Sequence, residues 1–113
     1  MIEYEDIVVL ELNNGDEKIS YKSENFFYAL KNLREELESR NIQIICNGTA
    51  KNIYPSTMQM SMGSGRVAYK LFIGEPAKNS DVVDIFDCDE ELEFVSVAKQ
   101  YKYYVDWLKS ILG

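Results

Sequence analysis

Histidine is missing from the 113 residues, and cysteine and proline occur twice each. Without an imidazole, Ser-His-Asp and Cys-His nucleophile schemes are excluded, as are metal sites built on histidine. Cys46 and Cys88 stand too far apart in sequence for a metal or redox motif. Cys46 ends the apolar run NIQIIC and reads as a buried thiol. Cys88, in FDCDE, has carboxylate neighbours that dull a nucleophile. A disulfide between the two stays open. No apolar run approaches the length of a membrane span. The acidic opening, MIEYED, is unlike a signal peptide, so the cytoplasm is the compartment expected. Positive charge is scarce: 12 Lys and Arg stand against 19 Asp and Glu, for a net charge of −7. Such a field repels nucleic acid and anionic lipid and favours basic partners. It serves either plain solubility or a docking face for a basic macromolecule.

What the chain does have is an ordinary globular balance, 46% hydrophobic and 27% charged, at the length of one domain, residues 1–113. A domain of that size buries roughly two-thirds of its unfolded surface, enough for a core without metal or disulfide staples. Residues 7–12, IVVLEL, read as a strand. NNGD at 13–16 is a turn, and EKISYK returns as a hairpin partner. Ser23 as N-cap, with Glu24 after it, opens a helix over about 24–40. Its stripe is Phe26, Leu30, Leu33 and Leu37. Lys31 with Glu35 and Arg34 with Glu38 are pairs on its outer face, and Asn41 stops it. Ile42–Cys46 reads as a short strand and Asn47-Gly48 as a turn. Pro55 bars a central strand. From 47 to 65 only Lys51 is charged, so this loop is expected to lie against something. VAYKLFI (67–73) and VVDIF (82–86) are further strands. Val97, Tyr101, Val105, Leu108 and Leu112 form the stripe of a second helix, with Trp107 at its edge needing a partner for its N–H. The expected fold is α+β: one domain, a four- to five-stranded, mainly antiparallel sheet with two amphipathic helices packed on one face.

Chemistry-bearing groups are few. The carboxylate pairs Asp84/Asp87, Asp89/Glu91 and Glu3/Glu5 lie in charge-rich stretches, where solvation is the simplest account. No flanking pattern singles out one for catalysis. DCDEE lacks the alternation, central Gly and terminal Glu of a calcium loop. GSGR at 63–66 has a single Gly-x-Gly, and a strand follows it rather than a helix. It reads as a turn more readily than as a phosphate loop. Met58, Met60 and Met62 would share one side if extended. They then either fill a gap between loop and core or form an adaptable surface for a partner. Tyr54, Tyr69, Tyr101, Tyr103 and Tyr104, beside an acidic rim, suit recognition of a basic protein. Tyr101 falls on the core stripe.

The run from Asn47 to Gly74 reads NG, five residues, then YPS-x-M-x-x-x-MG-x-G-x-x-AY-x-L-x-x-G. With IFD at 85–87 and SVAKQYKYYVDWLKSIL at 96–112, it resembles immunity proteins of bacterial polymorphic toxin and contact-dependent growth inhibition systems. The resemblance covers about the C-terminal two-thirds. It departs at Ser61, where the family's usual run has an acid. It implies a cytoplasmic, non-enzymatic protein that binds and blocks a cognate toxin C-terminal domain, a basic nuclease in many cases. No catalytic residue, cofactor, metal, nucleic acid or membrane is called for, and the oligomeric state stays open. The motif loop, Tyr54, Pro55, Ser56, Met58, Met62, Gly63, Gly65 and Tyr69, would then fix the fold. Toxin reading would fall to the densest acidic stretch, 81–93, at Asp87, Asp89, Glu90, Glu91 and Glu93. The plain alternative for that stretch is a solvated strand end. Two other functions stay open: a small-molecule or nucleotide-binding regulatory domain using the loop from Tyr54 to Arg66, and an enzyme working with carboxylates alone.

Overall fold

The expected hairpin is present. In the computed structural model, which describes residues 7–62 and 64–112, β1 (Val8–Asn14) pairs antiparallel with β2 (Glu17–Ser23). Asn14 faces Glu17, so the connection is Gly15-Asp16, and Gly15 takes a φ of 64° that a residue lacking Cβ adopts without strain. Val8, Leu10, Leu12, Ile19 and Tyr21 are the less exposed set, with polar and smaller residues between them.

The inner side of the hairpin rests on α1 (Phe26–Glu38). Ser23 closes β2 instead of capping the helix. The cap is Asn25, whose Oδ1 accepts the Tyr28 N–H at 2.9 Å. At the far end Asn41 turns left-handed (φ 61°) while the Ile42 N–H returns to the Leu37 carbonyl at 2.9 Å, the stop expected of that asparagine. Leu30, Leu33 and Leu37 are buried, each worth about 1.5–3 kcal/mol of transfer from water. Arg34 is buried with them at 2% exposure, so the expected Arg34–Glu38 surface pair does not form. Among the described residues Lys31 and Glu35 form no ion pair either. The charged link at this end of α1 is Arg40 with Glu36 (3.0 Å) and with Glu17 of the hairpin (2.9 Å).

Ile42–Cys46 is not a strand. Ile42 and Ile45 face solvent, and only Cys46, of its apolar residues, is buried. The segment carries the chain into a 3₁₀ turn at Asn47–Thr49. Gly48 is needed there for close approach and not for a positive φ: a Cβ would stand 2.7 Å from Leu30 Cδ2 and 3.0 Å from Ile85 Cβ. Beyond it, β3 (Ile53–Tyr54), β4 (Val67–Lys70) and β5 (Val82–Asp84) form an antiparallel sheet in that order. β4 and β5 are shorter than expected, and Phe72 and Ile73 are exposed. A short helix, α2 (Thr57–Met62), joins β3 to β4, and α3 (Val97–Leu112) closes the chain.

The molecule is therefore α+β, and its described residues form five antiparallel strands, split into sheets of two and three, and three α-helices, where one sheet and two helices were expected. The split has a simple cause: residues 42–46 pair with no strand among the described residues, so none of them joins the hairpin to β3–β5. Phe27 and Leu30 of α1 instead share a core with Cys46, Ala50, Ile53, Ala68 and Ile85, and Leu10 of the hairpin packs against it.

α3 has the expected span, and Val97, Val105 and Leu108 of the expected stripe are half-buried, but its inner face is centred on other residues. Gln100 and Trp107 are buried, whereas Tyr101 (56%) and Leu112 (80%) are exposed. Trp107 Nε1 donates to the Glu75 carbonyl at 2.8 Å, the partner its indole requires. Arg34 Nη1 donates to Gln100 Oε1 (2.5 Å) and to the Gly48 carbonyl (3.3 Å), and Nη2 donates to the Val95 carbonyl (2.8 Å). Gln100 Nε2 reaches the carbonyls of Gly48, Ala50 and Ile53, each at 2.9 Å. Burial pushes the Arg34 pKa down, yet a guanidinium keeps its proton. Its charge is thus met by neutral oxygens, and its Nε has no partner among the described residues.

Gly48→Ala is expected to cost about 1–3 kcal/mol by overpacking between Leu30 and Ile85. Urea denaturation checks this, and an unchanged midpoint refutes the close approach.

Candidate functional site

The motif loop starts where β3 ends. Tyr54 lies opposite Tyr69 across the β3–β4 ladder, and Pro55, fully buried, terminates the strand. Ser56 and Gln59 then cap each other. Ser56 Oγ accepts the Gln59 N–H at 3.0 Å, and Gln59 Oε1 accepts the Ser56 N–H at 2.8 Å. This reciprocal box starts α2. The methionines consequently ride on a helix and not along one side of an extended segment. Met58 (68%) and Met62 (81%) project into solvent, and Met60 is half-buried. Gap filling therefore does not describe Met58 or Met62. The Ser-x-x-Gln spacing in YPSTMQ was the sequence signal for this helix, overridden by the period-two methionines.

Gly63 lies outside the described residues. Ser64 (φ 57°) and Gly65 (φ 68°) are successive left-handed residues. The Gly65 N–H donates to the Gln59 carbonyl at 3.0 Å, and the Ser64 carbonyl accepts the Phe26 N–H at 2.7 Å. A Cβ on Gly65 would fall 2.6 Å from Asn25 Oδ1. The glycine turn thus closes onto the N-terminus of α1. What it presents there is a carbonyl oxygen, the opposite of what an anion needs. Arg66 is engaged as well, 3.2 Å from Asp84 Oδ2 and 5.6 Å over the Phe86 ring.

The acidic stretch is held by Asn47. Its N–H donates to the Asp87 carbonyl (2.7 Å), its Nδ2 donates to the Asp84 carbonyl (3.0 Å), and its Oδ1 accepts the Asp89 N–H (2.9 Å). The Gly48 N–H adds a bond to the Ile85 carbonyl (2.8 Å), and the Lys51 N–H one to the Glu93 carbonyl (2.7 Å). Two carboxylates serve the turn itself: Asp84 Oδ1 accepts the Phe86 N–H, and Asp89 Oδ1 accepts the Glu91 N–H while its Oδ2 lies 3.6 Å from Lys70 Nζ. Asp87, Glu90, Glu91 and Glu93 are exposed and make no ion pair among the described residues. The five candidate acids therefore gather on one backbone-pinned turn. Arg66, just past the glycine turn, joins that turn to the motif loop: its carbonyl accepts the Ile85 N–H at 2.9 Å and its guanidinium meets Asp84 and Phe86. Glu3 and Glu5 lie outside the described residues. Cys46 and Cys88 are unbridged.

No family model and no curated protein matches the chain.

Beside the motif loop runs an aromatic ladder that the sequence only half disclosed. Phe27 meets Tyr54 edge-on at 4.9 Å, Tyr54 stacks on Tyr104 at 4.0 Å, and Tyr104 continues to Trp107 at 6.1 Å. Tyr28 of α1 stands next to this ladder and was missed, because its position in FFYALKNL belongs to the helix's outer side. Tyr101, expected in the core, is on the surface. No group of three or more His, Cys, Asp or Glu among the described residues is placed to hold a metal, and none of the described helices is long and apolar enough to cross a membrane.

Burial, followed by the neighbouring phenols of Tyr28, Tyr104 and Tyr101, pushes the Tyr54 pKa up to about 12. A raised folded pKa means stability that is complete below the ordinary tyrosine value of about 10 and lost as pH climbs toward 12. Denaturation midpoints should fall over that interval, and Tyr54→Phe should lessen the fall. A variant with an unaltered slope would contradict this.

Proposed function

We propose that the chain is a non-enzymatic immunity protein, acting in the cytoplasm by binding a cognate toxin C-terminal domain and covering a basic surface on it. One observation carries this reading: the turn at 84–93 has its backbone fastened by Asn47, Gly48 and Lys51, while the exposed Asp87, Glu90, Glu91 and Glu93 have no side-chain partners among the described residues. Exposed carboxylates on a pinned backbone, in a body of net charge −7, are suited to a cationic face. They attract it over a Debye length, and little backbone ordering remains to be lost when it docks. The exposed Met58 and Met62 support the same reading, since flexible thioethers adapt to a partner's contour. The resemblance of the 47–112 region to immunity proteins agrees with it.

Co-expression with the toxin domain should protect cells, and the purified pair should form a 1:1 complex. Association should slow as salt rises. The triple variant Asp87→Lys, Glu90→Lys, Glu91→Lys should associate roughly 10- to 100-fold more slowly at low salt. Stopped-flow kinetics checks this. Association insensitive to both salt and charge reversal would remove the acidic turn from the interface.

A further inference from the structure

Of the chain's eight tyrosines, Tyr4 lies outside the described residues, and three others have hydroxyl partners: Tyr21 with Glu36, Tyr69 with Asn79 and Tyr103 with the Leu71 carbonyl. The hydroxyls of Tyr28, Tyr54, Tyr101 and Tyr104 have none among the described residues, and these four come together. Tyr54 and Tyr104 stack, Tyr101 lies 6.4 Å from Tyr104, and Tyr28 lies 6.4 Å from Phe27, the ring that meets Tyr54 edge-on. Tyr28, Tyr54 and Tyr101 line a cleft of about 710 Å³ between α1 and α3. That falls within the ~300–1,000 Å³ usual for ligand pockets.

The charges around this cleft choose its occupant. Glu35 and Glu38 stand on the α1 wall against Lys31. Glu38 Oε2 already accepts the Val97 N–H at 3.0 Å, whereas Glu35 is exposed and unpaired among the described residues. Aromatic faces beside an uncommitted carboxylate are the chemistry that holds a guanidinium. The rings attract the cation through their quadrupoles, and the planar fork matches a carboxylate. The chain's overall negative charge favours the same ligand.

The geometry points to the α1–α3 cleft as the receptacle for an arginine side chain of the protein partner, stacked against Tyr28 or Tyr101 and paired with Glu35. This rests on the binding role proposed above and deepens it. It sets a specific anchor, lined by none of the residues of the 84–93 turn, which supplies long-range attraction.

The test uses the full chain and a blocked tri-arginine peptide, followed by amide NMR. Shifts are expected at Tyr28, Ala98 and Tyr101. The same peptide with citrulline in place of arginine, equal in shape but neutral, should bind at least about fivefold more weakly. Glu35→Gln and Tyr101→Ala should each weaken arginine-peptide binding roughly two- to fivefold, and Tyr101→Phe, which keeps the ring, should not. Both residues are exposed, so the fold is retained. Equal binding of the citrulline peptide, displacement by inorganic phosphate at the same residues, or shifts confined to 84–93 would each overturn the assignment. The last result would leave the immunity reading standing. Conversely, cleft shifts with no complex formed by the toxin domain would sink that reading and leave the cleft an arginine site for some other protein partner.

Discussion

Arg34 carries its charge where 2% of its surface meets solvent, and the middle of the molecule is arranged around what that charge demands. An ion removed from water costs several kcal/mol unless its donors find acceptors. Here the acceptors are the carbonyls of Gly48 and Val95 and the Gln100 amide oxygen. Those groups come from the 47–50 turn, the approach to α3 and α3 itself. Each must turn an oxygen toward α1, and each is thereby positioned. Gln100 extends the effect by returning its own N–H groups to Gly48, Ala50 and Ile53. The polar pair thus sets the spacing of α1, α3 and the start of β3 more narrowly than apolar contact alone would.

Two surface features follow from that clamp. With Gln100 turned inward, the 100° step of an α-helix carries Tyr101 outward and brings Trp107 back in. The tyrosine cleft is thus a consequence of a buried glutamine. The 47–50 turn, fixed on its inner side by Arg34 and Gln100, holds residues 84–89 on its outer side through Asn47 and Gly48. Order in the core is passed to the acidic turn across two residues, Asn47 and Gly48. Gly48 must lack a side chain for that, because Leu30 and Ile85 close on it from both sides.

Elements governed by apolar periodicity or strong turn chemistry were legible in the sequence. The hairpin around Gly15, the body of α1 with its Asn41 stop and the span of α3 all appear close to their expected places. Features governed by buried polar groups were not. Periodicity assigns Arg34 to a solvated pair and ignores Gln100, so it rotates α3 the wrong way and places Tyr101 inside. Ile42–Cys46 is apolar without alternation, and such a run does not say whether it pairs with anything. At the candidate site, the clustering of Asp87, Asp89, Glu90, Glu91 and Glu93 was visible from their adjacency. Their anchoring by Asn47, across 37 to 42 residues of chain, was not. A helix as short as α2 depends on its cap and leaves little periodicity to read.

The 47–50 turn joins core and acidic turn into one cooperative unit. Native-state amide hydrogen exchange tests this most directly. The amides of Asn47, Gly48 and Asp89 should exchange with the same free energy, and the same dependence on denaturant, as those of Leu33 and Arg34 in α1. Rapid, denaturant-independent exchange at Asp89 and Asn47, with α1 still protected, would show that the acidic turn moves apart from the core and would contradict the account.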